Sequence, residues 1–121
     1  MLCELSAWTG GGIYEGKTRA YVWKPGKQRA TEDDYVGTCK LVLREDEAYF
    51  CDFGVKLEHR RRGYGTRILR EVMGIARKLG YKLFTLCVVK TNTPAIAMYE
   101  KLGFTYAPPI SEVYHKMQIS L

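Results

Sequence analysis

The sequence predicts one α/β domain: a mixed, mostly antiparallel sheet with two main helices. Three observations carry this. The chain has 121 residues, 46% hydrophobic and 26% charged, enough for one core and too few for a second. Apolar residues recur at helical spacing in two stretches, 64–79 and 94–102. The other apolar segments are short, rich in β-branched and aromatic residues, and bounded by turn formers. Their order is strands, helix, strand, helix, strands.

Taken in order, Leu2 to Trp8 reads as a short strand before the turn signal Thr9-Gly10-Gly11-Gly12. Arg19 to Lys24 is a strand ended by Pro25-Gly26, and a polar loop runs to Asp34. Tyr35 to Arg44 returns as the second arm of a long hairpin, and Ala48 to Leu57 follows an acidic turn. A glycine-rich basic turn leads into the first helix, Tyr64 to Leu79. Ile68, Leu69, Val72, Met73, Ile75, Ala76 and Leu79 form its apolar side, with arginines opposite. Gly80 is placed as its C′ residue. Tyr81 to Val89 is apolar almost throughout, as a strand covered on both faces would be. The second helix has Thr93 as N-cap, Pro94 at its first position and Gly103 past its end. Two last strands, Phe104 to Ala107 and Val113 to Leu121, flank Pro108-Pro109.

Composition excludes several classes. No apolar run approaches the roughly 20 residues that span a bilayer, and Met1-Leu2-Cys3-Glu4 lacks the basic start of a signal peptide. A cytoplasmic protein without membrane association is expected. Cys3, Cys39, Cys51 and Cys87 are far apart and form no ligand-spaced pair. They read as reduced thiols, with no metal site, and Cys51 and Cys87 as small core residues.

The net charge of +6 is localised. Between Lys56 and Lys82 lie nine bases against two acids, a local net of +7, so the rest of the chain is slightly acidic. A polyanionic ligand, either nucleic acid or a phosphorylated cofactor, fits such a segment, and a solvated helix face is the plainer reading. Within it, Val55-Lys-Leu-Glu-His-Arg60-Arg61-Arg62-Gly63-Tyr64-Gly65-Thr66 leaves a strand and opens a helix. Successive backbone N–H groups and the positive helix end there converge on one point. Glycines at 63 and 65 let that backbone approach a ligand closely. No Lys-Ser/Thr follows, so this is not a Walker loop. Ile68 stands where a dinucleotide fingerprint has its third glycine. A pyrophosphate site is the chemistry that remains.

Val55, Arg60, Gly63 and Gly65, in the pattern Val-x4-Arg-x-x-Gly-x-Gly, resemble the acetyl-CoA signature of the GNAT superfamily of N-acetyltransferases. The run Asn92-Thr-Pro-Ala95-Ile-Ala-Met98-Tyr99-Glu-Lys-Leu-Gly103-Phe104 resembles the family's second helix motif, at the right separation. The resemblance covers about residues 35–121. It implies a sheet with a splayed centre and a reaction in which a neutral amine attacks the thioester of acetyl-CoA directly. It also implies site residues. Backbone groups of Phe53, Gly54 and Val55 pair with the pantetheine arm. N–H groups of Arg61, Arg62, Gly63, Tyr64, Gly65 and Thr66 wrap the pyrophosphate, and the side chains of Arg60, Arg61 and Arg62 lie near the phosphates. Asn92 hydrogen-bonds the cofactor arm. Tyr99 takes the place of the general acid for the departing thiolate, and Tyr49 a base position, where it orders a water. Strand alternation puts Glu47, Tyr49, Cys51 and Phe53 on one face and Asp52 on the other. Cys87 stands where related N-terminal acetyltransferases carry Glu or His, so the base is left open.

Blander readings stand beside these. Tyr99 and Tyr49 are also what a packed helix aromatic and a strand aromatic look like. His59 and His115 read as structural or surface groups. Glu45-Asp46-Glu47 reads as a solvated turn, or as an attractor of a cationic amine. The competing function is a non-catalytic module of the same fold that binds a protein or nucleic acid; nucleic acid is disfavoured because only Tyr64 interleaves the bases. The acceptor, protein N-terminus, lysine or small-molecule amine, is not named by the sequence. Family members place a strand and two helices before the central hairpin, where this sequence has at most 18 residues. That predicts a reduced N-terminal region and an open acceptor face, for a large substrate or for completion by a second subunit in a homodimer.

Overall fold

The computed structural model describes residues 2–4, 17–24, 35–109 and 111–121. The strands are β1 (Leu2–Glu4), β2 (Lys17–Trp23), β3 (Gly37–Leu43), β4 (Ala48–Val55), β5 (Leu83–Val89), β6 (Thr105–Ala107) and β7 (Tyr114–Ser120). The helices are α1 (Tyr64–Lys78) and α2 (Thr93–Leu102), and a single 3₁₀ turn, Leu57–His59, precedes α1. One sheet runs in the order β1-β2-β3-β4-β5-β7-β6. Only β4 and β5 pair in parallel; every other neighbour is antiparallel. The predicted mixed, mostly antiparallel sheet with two main helices is the observed fold, with the ends of β2 to β7 within about two residues of those read from sequence; the expected end of the first strand at Trp8 lies outside the described residues.

Both helices pack on one face. Ile68, Leu69, Val72 and Ala76 of α1 join Tyr21, Trp23, Cys39, Leu41, Phe50 and Phe84 of the sheet in one core. Tyr99 at the end of α2 contacts Phe104, which contacts Phe84. Gly80 (φ +93°) and Gly103 (φ +101°) close the two helices in left-handed conformation, as their positions predicted. Asn92, not Thr93, caps α2: its Oδ1 accepts from Ala95 N at 3.4 Å. Asparagine serves there because its side-chain oxygen reaches an otherwise unpaired helix donor.

Two further readings change. β5 is covered on both faces only in its first half. Phe84, Thr85 and Leu86 are buried, whereas Cys87 and Val89 are exposed, so Cys87 is not a core residue; Cys51 is half-buried. The alternation along β4 also fails at Asp52. Thr38 faces Gly54 but Lys40 faces Cys51, so β4 carries one extra residue at Asp52–Phe53. Asp52 takes φ +50°, a bulge conformation that an Asp tolerates. The extra residue returns Phe53 to the helix side, 5.2 Å from the Phe50 ring, instead of beside Tyr49. The expected reduction of the N-terminal region falls mainly on residues 5–16, which lie outside the described residues.

Candidate active site

The bulge and the short parallel pairing shape the site. β4 and β5 meet at three positions only, Ala48–Phe84, Tyr49–Thr85 and Phe50–Leu86. Past Phe50, β4 stays bonded to β3 through Thr38–Gly54 and Gly37–Val55. Its other backbone edge, residues 51–55, has no strand partner among the described residues. This is the splayed centre. The close passage of β3 demands a glycine, since a Cβ at Gly37 would lie 2.7 Å from Gly54 O. At the far end of the free edge the Arg60 guanidinium donates from Nε to Val55 O at 3.0 Å.

The basic turn follows directly. Arg61 (φ +62°) and Gly63 (φ +81°) are both left-handed and bracket Arg62, so that successive N–H groups turn inward. Gly63 is the N-cap of α1 but has no side chain to offer, and the first turn holds no acid. The first intrahelical bond runs from Arg67 N to Gly63 O at 3.2 Å, so the N–H groups of Tyr64, Gly65 and Thr66 have no helical acceptor. Arg61 and Arg62 are exposed beside them. Elsewhere the basic segment is used internally: Lys56 lies 3.9 Å from the Tyr35 ring and Arg67 5.4 Å from the Trp23 ring. A Cβ at Gly65 would sit 3.3 Å from Phe53 Cζ and 3.4 Å from Met98 Sδ. The first turn of α1, the diverging β4 and α2 therefore converge at Met98, the residue before Tyr99.

Tyr99 is 5% exposed. Burial alone pushes its phenol up to about 12, so it holds its proton across the neutral range. Tyr49 lies on the opposite face of the sheet, with the Arg44 guanidinium 4.3 Å over its ring. Burial, then a hydrogen bond with the Cys87 thiol and the nearby thiols of Cys87 and Cys51, push the Tyr49 phenol well above its ordinary value, against the opposing charge of Arg44. Tyr49 is a neutral hydrogen-bonding group here. The two tyrosines are not brought together; they lie on opposite faces of the sheet.

Glu47 is not the solvated acid expected of its turn. It is 15% exposed and pairs with Arg44 Nη1 at 2.9 Å and Lys116 Nζ at 3.3 Å. Burial opposes its ionisation, but the Arg44 guanidinium and the Lys116 ammonium in contact with it hold its carboxyl below the ordinary range. Lys116, directly opposite Cys87 on β7, was not singled out from sequence; a lone lysine in an amphipathic strand carries no local signal. Neither did the sequence show the Arg60–Val55 bond. His59 is half-buried in the turn, edge-on to Tyr64 at 6.0 Å. Asn92 spends its oxygen on the α2 cap, leaving its amide N–H groups for another acceptor. Among the described residues no group of His, Cys, Asp and Glu could hold a metal, and no helix is long and apolar enough to cross a membrane.

An uncapped, acid-free helix start wrapped by left-handed backbone, beside a strand with one free edge, fits a long molecule ending in a pyrophosphate. The family model for the Acetyltransferase (GNAT) family matches residues 10–104. The chain is 31% identical over 86 residues to an uncharacterised N-acetyltransferase of Bacillus subtilis (strain 168), YobR, covering 71% of this chain and 29% of that protein. It is 43% identical over 54 residues to the mycothiol acetyltransferase of Corynebacterium glutamicum (strain R), covering 45% of this chain and 18% of that one. It thus spans less than a third of either relative. A GNAT family acetyltransferase from Elizabethkingia anophelis, solved with acetyl-CoA bound, superposes with a TM-score of 0.76 at 15% identity, over 100% of this chain and 97% of that one. With the splayed sheet, the glycine turn and most of its length matched, the chain belongs to the GNAT acetyltransferase family.

Proposed function

We propose that this chain transfers the acetyl group of acetyl-CoA to a primary amine by direct attack, with Tyr99 as general acid. One observation carries the reading: the free edge of β4 leads through the basic turn to the uncapped start of α1, where Gly65 packs between Phe53 and Met98 of α2, one residue before the buried Tyr99. Acetyl-CoA, when bound, supplies an activated carbonyl next to a sulfur that needs a proton as it leaves. Backbone groups of Phe53, Gly54 and Val55 hold the pantetheine arm as an added strand would. N–H groups from Arg61 to Thr66 and the Arg60, Arg61 and Arg62 side chains hold the phosphates, and the Asn92 amide donates to the arm. Tyr99 holds a proton at its hydroxyl because burial keeps the phenol neutral. Tyr49, neutral as well, positions water or the incoming amine from the opposite face.

The test is calorimetry with CoA and thiol release from acetyl-CoA over a panel of amines and peptides. Micromolar CoA binding and acceptor-dependent thiol release are expected. A protein that does neither, or that binds oligonucleotides in a salt-dependent way unaffected by CoA, is a binding module instead.

A further inference from the structure

A cavity lies one strand beyond the splay. The β6–β7 hairpin and the end of β5 border a half-open pocket of about 250 Å³, lined chiefly by Lys90, Tyr106, Ser111, Tyr114, His115 and Lys116. That is roughly the liquid volume of eight waters, the scale of an amino acid. Register places it: Lys116 faces Cys87 and Tyr114 faces Val89 across β5–β7. Tyr49 pairs with Thr85, two residues before Cys87 on the same face of β5, so Lys116, Cys87 and Tyr49 form one row of side chains from the pocket to the mouth of the splay, while Tyr106 and His115 line it from the helix face.

Its chemistry is one-sided. No acid lines it. Lys90 has no acidic partner among the described residues. Lys116 is matched by Glu47, but Arg44 shares that carboxylate, so the trio keeps one positive charge. Ser111 Oγ accepts from Val113 N at 3.2 Å and Tyr114 N at 3.3 Å. With its oxygen so used, its O–H is left as a donor. Tyr106 donates its own O–H to Glu100 Oε1 at 2.6 Å, outside the cavity. The wall between these groups is mostly apolar. A cationic, donor-rich end in a half-open, mostly apolar pocket complements a carboxylate on a short apolar body and repels a polyamine.

We propose that this cavity is the acceptor subsite and that the acceptor is a small amine carrying a carboxylate, of amino-acid type. The carboxylate lies against Lys90 and Ser111, and the amine points toward Cys87 and the splay. This rests on the acetyltransferase reading, and the experiment separates the two. Binding of N-acetyl-L-phenylalanine and of its amide is measured by calorimetry on wild type, Lys90→Gln and Lys90→Glu, each with CoA binding as the folding control. Acetylation of L-phenylalanine, its amide and spermidine is measured alongside. The carboxylate is expected to bind and the amide to bind at least tenfold more weakly. Lys90→Glu is expected to raise the carboxylate's Kd about tenfold or more, and Lys90→Gln less, with CoA affinity unchanged. L-phenylalanine should be acetylated with the lowest KM of the three. Equal binding of acid and amide, an unchanged Kd in Lys90→Glu, or preferential acetylation of spermidine overturns the proposal. Carboxylate binding without acetyl transfer to any amine overturns the acetyltransferase reading and leaves the ligand class of the cavity standing.

Discussion

Tyr99 bears the most specific expectation at the scale of single residues. Its phenol is raised to about 12 by burial, so the acid form persists far above neutrality. Tyr99→Phe is expected to lower kcat about a hundredfold while leaving CoA affinity within a factor of two, because only proton donation is lost. The wild-type kcat should keep a protonated Tyr99 past pH 10 and lose it only as pH rises through about 12; an alkaline limb near 10 would contradict the burial. Stability has the same sign. The unfolded phenol ionises near 10 and the folded one later, so the fold loses stability as pH climbs between those values. That Tyr99 is a candidate at all was legible from Asn92, Ala95 and Gly103 around it. That it is buried from solvent was not, because the covering groups, Phe104 among them, are set by tertiary packing. Cys87 shows the opposite failure. Its apolar neighbours suggested a core thiol, but β5 outruns its partner β4, and the residue past the last pairing is exposed.

Elements were read more securely than their irregularities. Each helix has an apolar stripe and a left-handed glycine at its end, and both were found within a residue or two. The bulge in β4 was invisible, since Tyr-Phe-Cys-Asp-Phe alternates convincingly and nothing local says that Asp52 adopts φ +50°. One inserted residue sends every later side chain to the other face, which is why Phe53 supports Gly65 instead of standing beside Tyr49. The start of α1 is the element with the strongest functional expectation. Its unpaired donors have no acid or side-chain cap competing for them, and Arg61 and Arg62 are exposed. Replacing both with Gln should weaken CoA binding about three- to tenfold and flatten its dependence on salt, as loss of exposed cation–phosphate contacts does. Calorimetry at two ionic strengths measures this. Loss of binding without a change in salt dependence would place the phosphates elsewhere.

Across the whole molecule the two halves of the sheet are tied by side chains as well as by strand pairing. Glu47, ahead of β4, reaches Lys116 on β7, which is not its neighbour in the sheet. Its carboxyl is held below the ordinary range, so the contribution is full above the unfolded value near 4.3 and disappears as pH falls through the lower folded one. Glu47→Gln should lower Tm at pH 7, and the gap to wild type should narrow steadily in acid; circular dichroism between pH 3 and 7 follows it. A gap that is constant with pH would mean the side chain acts by packing alone.

The three-position neck between β4 and β5 also has a kinetic meaning. Backbone amides on the free edge of β4 have water as their partner until something lies along them, whereas those bonded to β3 are locked in a ladder. Hydrogen exchange should therefore divide one strand into slow and fast amides between Cys51 and Val55, and addition of CoA should slow the fast set selectively, leaving β2 and β3 unchanged. Uniform protection along β4 before any ligand is added would mean that the neck is a closed seam. The boundary between the two regimes is Phe50, the last residue of β4 paired on both sides.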